Sequence, residues 1–295
     1  MRILRTVSEL RVALAPPRRA RLSIGLVPTM GYFHDGHLSL IHRARQECDQ
    51  VVVSLFVNPT QFNDSGDLDA YPRDEHRDAM LAAQAGVDYL FAPPASEVYP
   101  PGFATSVSVA GGVTASLEGE HRGQQHFDGV TTVVTKLFNM VAPDVAYFGQ
   151  KDAQQAIVIR RLVRDLDMPV RIELCPTVRA SDGLALSSRN AHLSADERDR
   201  AASLHRALQT VQDAVAAGER DPAAVRSRAL DELISSNVQP DYLELVSADT
   251  LMPVQRIDGD VLAVVAARVG VTRLIDNTLI QVVPARARTT ANGRA

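Results

Sequence analysis

Three short, largely apolar runs decide what this chain can fold into: Leu22 to Val27, Gln50 to Val57 and Asp144 to Phe148. Gln50 to Val57 is β-branched and apolar on both faces. Such a strand is stable only inside a parallel sheet with helices covering each side. The first and third runs hand over at a turn to stretches with apolar residues at helical spacing, and the second reaches its helix through a polar loop. Strand and helix alternate from one run to the next, which predicts an α/β fold built on a doubly wound parallel sheet. The most informative handover is Pro28-Thr29-Met30-Gly31-Tyr32-Phe33-His34-Asp35-Gly36-His37. It lies between the first run and the apolar face begun by Leu38, Leu40 and Ile41.

A helix start at the end of a parallel strand has unpaired N–H groups and the positive end of the helix dipole. Gly31 and Gly36 let a ligand approach that backbone. His34 and His37, three apart, share a face of the first helical turn. Two imidazoles beside free amides suit a phosphate that gains charge during reaction. The pair also has the spacing of half a zinc site, but no CxxC or HExxH pattern nearby completes one.

Two further stretches have the same chemistry. Gly149-Gln150-Lys151-Asp152 again follows a strand and opens a helix, with Gln154 and Gln155 on the next turn. Ser187-Ser188-Arg189-Asn190 combines small hydroxyls with a guanidinium that can take a phosphate in bidentate fashion.

Elsewhere the pattern sets boundaries. Thr6 and Glu9 form a capping box for a first helix, and Pro16-Pro17 reads as the turn after it. Asn63 to Pro72 reads as a polar loop, and Arg73 to Ala85 as a helix. Asp88 to Phe91 and Ala104 to Val109 read as strands, and Glu118 to His126 as a mobile flap. A helix over Gly129 to Val141, one running to about Asp165 and a strand Val170 to Leu174 follow. Beyond Pro176 come a long helix capped by Ser194 and reaching Ala217, a helix opened by Asp221-Pro222, and strands at Tyr242–Val246, Val261–Val269 and Thr272–Asn277. The expected division is a nucleotide domain over 1–176 and a small α+β domain over 177–295, with a frayed tail at 284–295.

The net charge of −4 and the absence of Trp argue against a nucleic-acid surface. No apolar run approaches the length of a membrane span, and Arg2, Arg5 and Arg11 interrupt any apolar leader segment. Cys48 and Cys175 follow no metal or redox spacing and read as reduced core thiols, which suits the cytoplasm.

Taken together, PTMGxxHxGH at 28–37, VNPxQF at 57–62, YPR at 71–73, GxKDxQQ at 149–155 and DGLALSSRN at 182–190 resemble the pantoate–β-alanine ligase family of the HIGH-type nucleotidyltransferase superfamily. The resemblance implies a Rossmann-like domain and an ATP- and Mg²⁺-dependent condensation of pantoate with β-alanine. That reaction passes through pantoyl adenylate and releases pyrophosphate and then AMP. Carried over by motif, the ATP site comprises Pro28, Thr29, Met30, Gly31, His34, Gly36, His37, Gly149, Gln150, Lys151, Asp152, Val178, Leu186, Ser187, Ser188 and Arg189. His37 is the acid assisting pyrophosphate departure, with His34 and Lys151 stabilising the phosphates. Gln61 and Gln155 bind pantoate, within a group that includes Asn58, and Phe56 with Val133 and Val134 face its dimethyl carbon. A cytoplasmic homodimer is also implied.

Two departures from the family pattern stand out. Gln150 replaces the usual glutamate, and the usual RPGHF segment reads Arg122-Gly123-Gln124-Gln125-His126-Phe127. The metal carboxylates are unmatched, with Asp74 and Asp78 the candidates. A different nucleotidylyltransferase or a non-catalytic nucleotide sensor are the competing readings. The neutral Gln61 and Gln155 suit a hydroxy acid better than the phosphomonoester a nucleotidylyltransferase would take.

Overall fold

The computed structural model describes residues 1–282; the tail expected at 284–295 lies outside them. Strands β1 (Arg2–Leu4), β2 (Ile24–Thr29), β3 (Gln50–Leu55), β4 (Tyr89–Phe91), β5 (Val145–Gly149) and β6 (Arg171–Cys175) form one parallel sheet in the order β1-β4-β3-β2-β5-β6. Strands β7 (Pro240–Ser247), β8 (Val261–Val269) and β9 (Thr272–Ile280) form a separate antiparallel sheet. The helices are α1 (Val7–Arg19), α2 (Asp35–Glu47), α3 (Ser65–Ala70), α4 (Glu75–Gln84), α5 (Ala95–Val98), α6 (Gly112–Ala115), α7 (Glu118–Arg122), α8 (Gln124–Val141), α9 (Ala153–Asp165), α10 (Ala195–Ala201), α11 (Ser203–Ala216) and α12 (Pro222–Ser235).

The doubly wound sheet expected from the sequence is present, and its two-sided burial is visible residue by residue. On β3, Val52 joins one core with Leu26 and Phe138, while Val51 and Val53 join another with Ile41 and Tyr147. A third core, with Leu208, Val211 and Val265, lies between α11, α12 and the antiparallel sheet. From β2 the chain steps to β3 on one side and later to β5 on the other. The carboxyl ends of β2 and β5 therefore flank the switch point, where open α/β sheets bind ligands.

Several expectations need correction. β1, three residues long and with Ile3 exposed, gives too little pattern to read as a strand. Pro16 and Pro17 lie inside the last turn of α1 instead of ending it. Pro17 cannot donate to the Ala13 carbonyl, which receives the Tyr89 hydroxyl instead at 3.4 Å. The polar stretch 63–72 contains α3, N-capped by Asp64. Ala104 to Val109 joins no ladder, because Val107 pairs with side chains of α8: its N–H donates to Thr132 Oγ1 at 2.9 Å and its carbonyl accepts from Thr131.

The expected flap is also not one. Residues 118–126 form α7 and the start of α8, and buried Gln154 clasps the segment just before them. Its amide donates to Val113 and Ser116 carbonyls and accepts the Glu118 N–H. The helix expected from Ser194 to Ala217 breaks between α10 and α11.

Candidate active site

The turn after β2 is held from below. Gly31 has φ +89° and Tyr32 φ +54°, a conformation that leaves two N–H groups pointing away from any ladder. Buried Asp78 accepts both, from Tyr32 at 2.6 Å and Phe33 at 2.7 Å. The chain then enters α2 through a cap made of histidines. His34 Nδ1 accepts the Gly36 N–H at 3.1 Å, and His37 Nδ1 accepts the His34 N–H at 3.4 Å. The ring centroids are 4.2 Å apart. A nitrogen that accepts a backbone N–H holds no proton, so each neutral ring carries its hydrogen on Nε2. Burial, reinforced by His34, lowers the His37 pKa to about 3. Burial and then Lys151 lower that of His34. Near neutral pH the pair is therefore two uncharged Nε2–H donors on the cleft wall.

The turn after β5 faces them across the switch point. The Lys151 ammonium lies 3.5 Å from its neighbour Asp152. Burial would raise the Asp152 carboxyl, but Lys151, Arg122 and Arg189 outweigh it and keep the group ionised. Asp152 stands at the N-cap of α9 and makes no side-chain cap there, so no side chain of the turn covers the positive end of that helix. Asn277 on β9 holds the turn in place by donating to the carbonyls of Gln150 and Lys151.

The third stretch is carried by a small hairpin. Arg179 bridges Ala185, Leu186 N–H donates to the Val178 carbonyl at 2.9 Å, and Asp182 caps the Leu184 N–H within the turn. Arg179 also grips Asp276 in bidentate fashion, at 2.6 and 3.0 Å, which ties the hairpin to β9. Ser187, Ser188 and Arg189 follow as a 3₁₀ turn, with the Ser187 hydroxyl accepting the Arg189 N–H at 3.3 Å.

The other end of the cleft is apolar, with Phe56, Val133 and Val134 buried along it. At its edge Asn58 Oδ1 receives three donors, the Tyr99 hydroxyl at 2.8 Å, the Thr60 hydroxyl at 2.9 Å and the Thr60 N–H at 3.4 Å. Its orientation is thereby fixed, and Nδ2 donates to Gln61 Oε1 and the Gly129 carbonyl, each at 3.1 Å. With Oε1 taken, Gln61 turns its NH₂ donor toward the cleft, where Met30 Sδ lies at 3.3 Å. His126 lies against the same turn, its Nδ1–H donating to the Gln61 carbonyl at 2.7 Å.

These groups line one cavity of about 320 Å³. Around it stand Pro28, Thr29, Met30, His34, Gly36, His37, Phe56, Asn58, Gln61, Val133, Val134, Gly149, Lys151, Asp152, Gln155, Val178, Leu186, Ser187, Ser188 and Arg189. Gly31 and Gln150 do not line it. Gly31 forms the turn behind His34, and Gln150 contributes its carbonyl to Asn277. Glu118, Arg122, His126, Tyr242, Asp276 and Asn277 also line the cavity, although motif reading gave them no role. The Arg122 and His126 signals were obscured by the altered RPGHF segment, and β9 offered only a strand pattern.

Asp74 and Asp78 do not line this cavity. Asp74 caps α4 through the Arg77 N–H, and Asp78 is committed to the turn. Among the described residues no group of three or more His, Cys, Asp or Glu side chains is placed to hold a metal ion, and no helix is long and apolar enough to cross a membrane.

Residues 2–279 match the family described as pantoate-beta-alanine ligase. The pantothenate synthetase of Moorella thermoacetica is 54% identical over 284 residues, covering 96% of this chain and 99% of that protein. That of Cereibacter sphaeroides is 53% identical over 275 residues, covering 93% and 98%. Among solved structures, pantothenate synthetase from Thermus thermophilus superposes with a TM-score of 0.89 at 48% identity, covering 94% of this chain and 99% of that one. Pantoate-beta-alanine ligase from Francisella tularensis, complexed with beta-gamma ATP and beta-alanine, superposes with a TM-score of 0.78 at 33% identity, covering 95% and 97%.

Proposed function

The chain belongs to the pantoate–β-alanine ligase family and condenses pantoate with β-alanine at the expense of ATP, and we propose that its cleft divides the work as follows. ATP lies across the switch point, its triphosphate between the His34–His37 pair, Lys151 with the first amides of α9, and the Ser187–Arg189 turn. Pantoate occupies the other end, its gem-dimethyl carbon against Phe56, Val133 and Val134 and its polar groups on Gln61 and Gln155. The observation that supports this is the convergence of three separate phosphate-type stretches and one apolar wall on a single cavity.

The pantoate carboxylate attacks the α-phosphorus, and the bond to the bridging oxygen breaks with its electron pair leaving on pyrophosphate. Such a step needs positioning and charge neutralisation more than covalent help. Each well-aimed donor is worth about 2–4 kcal/mol in the transition state. His34 and His37 enter as neutral Nε2–H donors. His37 assists departure of pyrophosphate by hydrogen-bonding the leaving oxygen through Nε2–H while keeping its proton. Lys151 and Arg189 supply fixed positive charge, with Pro28 to Gly36, Gly149 to Asp152, Val178 and Leu186 shaping the nucleotide side. The β-alanine amine then attacks the acyl carbon and expels AMP.

We place Mg²⁺ on the triphosphate, whose charge it neutralises, as that ion commonly binds. We further propose that 1–176 and 177–295 act as two units with the cleft between them, and that the protein is a cytoplasmic homodimer. Buried free Cys48 and Cys175 suit a reducing compartment.

The test is to mix ATP, Mg²⁺ and pantoate with and without β-alanine. Pyrophosphate exchange into ATP should require pantoate alone, and multiple-turnover AMP release should require both acids. A stable nucleotide conjugate as end product would instead favour a nucleotidylyltransferase. His37→Ala should keep the fold and lose most pantoate-dependent pyrophosphate release; unchanged release would remove His37 from the mechanism.

A further inference from the structure

The second half-reaction has an unmet chemical need. β-Alanine arrives as an ammonium, whose pKa lies near that of lysine, and an ammonium has no lone pair with which to attack. His34 and His37 cannot serve as bases, because their Nδ1 atoms are occupied by backbone N–H groups and their Nε2 atoms carry hydrogen. Lys151, Arg122 and Arg189 are cations. His126 has the opposite arrangement. Its Nδ1 faces a carbonyl oxygen, which only accepts, so the ring hydrogen is on Nδ1 and the lone pair is on Nε2. The residue is 9% exposed and lines the cavity. Its Nε2 has no hydrogen-bond partner among the described residues and is not among the fully sealed polar atoms.

We propose that His126 is the base that takes a proton from the β-alanine ammonium, through Nε2, as the amine attacks pantoyl adenylate. The inference rests on the reading of Gln61 as part of the pantoate site, since His126 is fixed to the Gln61 backbone. The N–H bond breaks toward His126 and its electron pair stays on nitrogen. Nitrogen forms the new bond to the acyl carbon, and the acyl C–O bond breaks with its pair leaving on AMP. The second ammonium proton, acidified by amide formation, passes to solvent with that of the imidazolium. Burial, and then Arg122, hold the His126 ring neutral, against the opposing pull of the Gln61 carbonyl, Glu118 and Asp152. Arg122, anchored to Glu118 through Nε at 2.8 Å, offers a cation for the β-alanine carboxylate in the same cavity.

The experiment uses His126→Asn, which keeps an N–H donor for the Gln61 carbonyl and has no basic lone pair. Pantoate-dependent ATP–pyrophosphate exchange reports adenylation. Single-turnover AMP release after β-alanine is added to the preformed adenylate reports the second step. The expected result is exchange within a few-fold of wild type and second-step loss of about 100-fold, in the range of general-base catalysis. Hydroxylamine, an amine already neutral at pH 7.5, should restore acyl transfer in the variant to near the wild-type rate with that nucleophile. Equal loss in both half-reactions, an unimpaired β-alanine step, or equal slowing with hydroxylamine would each overturn the proposal. His126→Gln serves in the same way if the Asn variant melts early. Wild-type enzyme with no pantoate-dependent exchange would instead sink the ligase reading itself.

Discussion

Asn277, on the antiparallel sheet, donates through one side-chain nitrogen to the backbone of Lys151, at the end of the parallel sheet, and to that of Gln150, at 2.9 Å each. The phosphate-facing turn is thus held by a residue from the other end of the chain. Replacing Asn277 by Ala leaves two carbonyls without a donor, a loss of about 1–3 kcal/mol. The expected outcome is a KM for ATP raised about tenfold, with the KM for pantoate nearly unchanged. Asn277→Asp should be worse than Ala, since its carboxylate meets the same two carbonyls. Steady-state kinetics for both substrates check this, and a milder effect from Asp than from Ala would show that the amide does not hold the turn.

At the pantoate end the analogous relay runs from Tyr99 through Asn58 to Gln61. Tyr99→Phe removes one of three donors to Asn58 Oδ1, so the amide keeps its orientation and the KM for pantoate should rise only about threefold, as for a single neutral hydrogen bond. Asn58→Asp replaces the donor to Gln61 Oε1 and the Gly129 carbonyl by an acceptor. It should raise the pantoate KM at least tenfold more than Tyr99→Phe, with the KM for ATP little changed. Equal effects of the two substitutions would mean that the Asn58 amide does not orient Gln61.

Much of this site could be read in advance because it lies at strand–helix junctions, where backbone geometry forces glycine and small polar residues into recognisable strings. Gly31 to His37 and Gly149 to Asp152 are of this kind, and so is the parallel sheet beneath them, whose strands must be apolar on both faces. The residues that escaped, Asn277, Glu118, Arg122 and His126, act through tertiary contacts. Nothing local distinguishes Asn277 from any other residue of an antiparallel strand until β9 packs against the β5 turn. The 118–126 segment looked mobile because its sequence is polar. It is ordered because Glu118 is buried against Arg273, 2.8 Å away across the chain, and Arg122, and a partner 155 residues later cannot be read from local pattern.

Acid should unfold the protein through two overlapping windows, of which only the first acts above pH 4.5. His37 has a pKa near 3 when folded against 6.5 when free, so the unfolded chain binds more protons between those values. Stability is full above pH 6.5 and falls as pH drops toward 3, by roughly 3–5 kcal/mol. Burial opposes ionisation of Glu118, but hydrogen bonding to Arg273 and the charge of Arg122 lower its pKa to about 2 against 4.5. Its contribution is present above pH 4.5 and is lost as pH falls through that value toward 2. Urea titrations at a series of pH values should therefore show His37→Asn flattening the slope between pH 6.5 and 4.5, while Glu118→Gln destabilises the protein at neutral pH. An unchanged slope in His37→Asn would mean that the imidazole is not buried as a neutral ring.

Gly129 marks where α8 presses on the turn that carries Gln61. A Cβ at that position would sit 2.5 Å from the Thr60 carbonyl oxygen, 2.6 Å from its carbon and 2.8 Å from the Gln61 nitrogen, all backbone atoms that cannot rotate away. Helix propensity alone favours Ala over Gly by about 1 kcal/mol. Overpacking against a fixed backbone opposes this with about 1–3 kcal/mol. Gly129→Ala should therefore lower the melting temperature despite the better helix former. It should also push the 59–61 turn away from α8, disturbing the Asn58–Gly129 hydrogen bond and the Gln61 carbonyl on which His126 is mounted. The expected kinetic pattern is a pantoate KM raised about tenfold and a β-alanine step slowed further, with the KM for ATP changed least. Calorimetry and the two half-reaction assays check it; a higher melting temperature with normal pantoate kinetics would show that the helix does not approach the turn this closely.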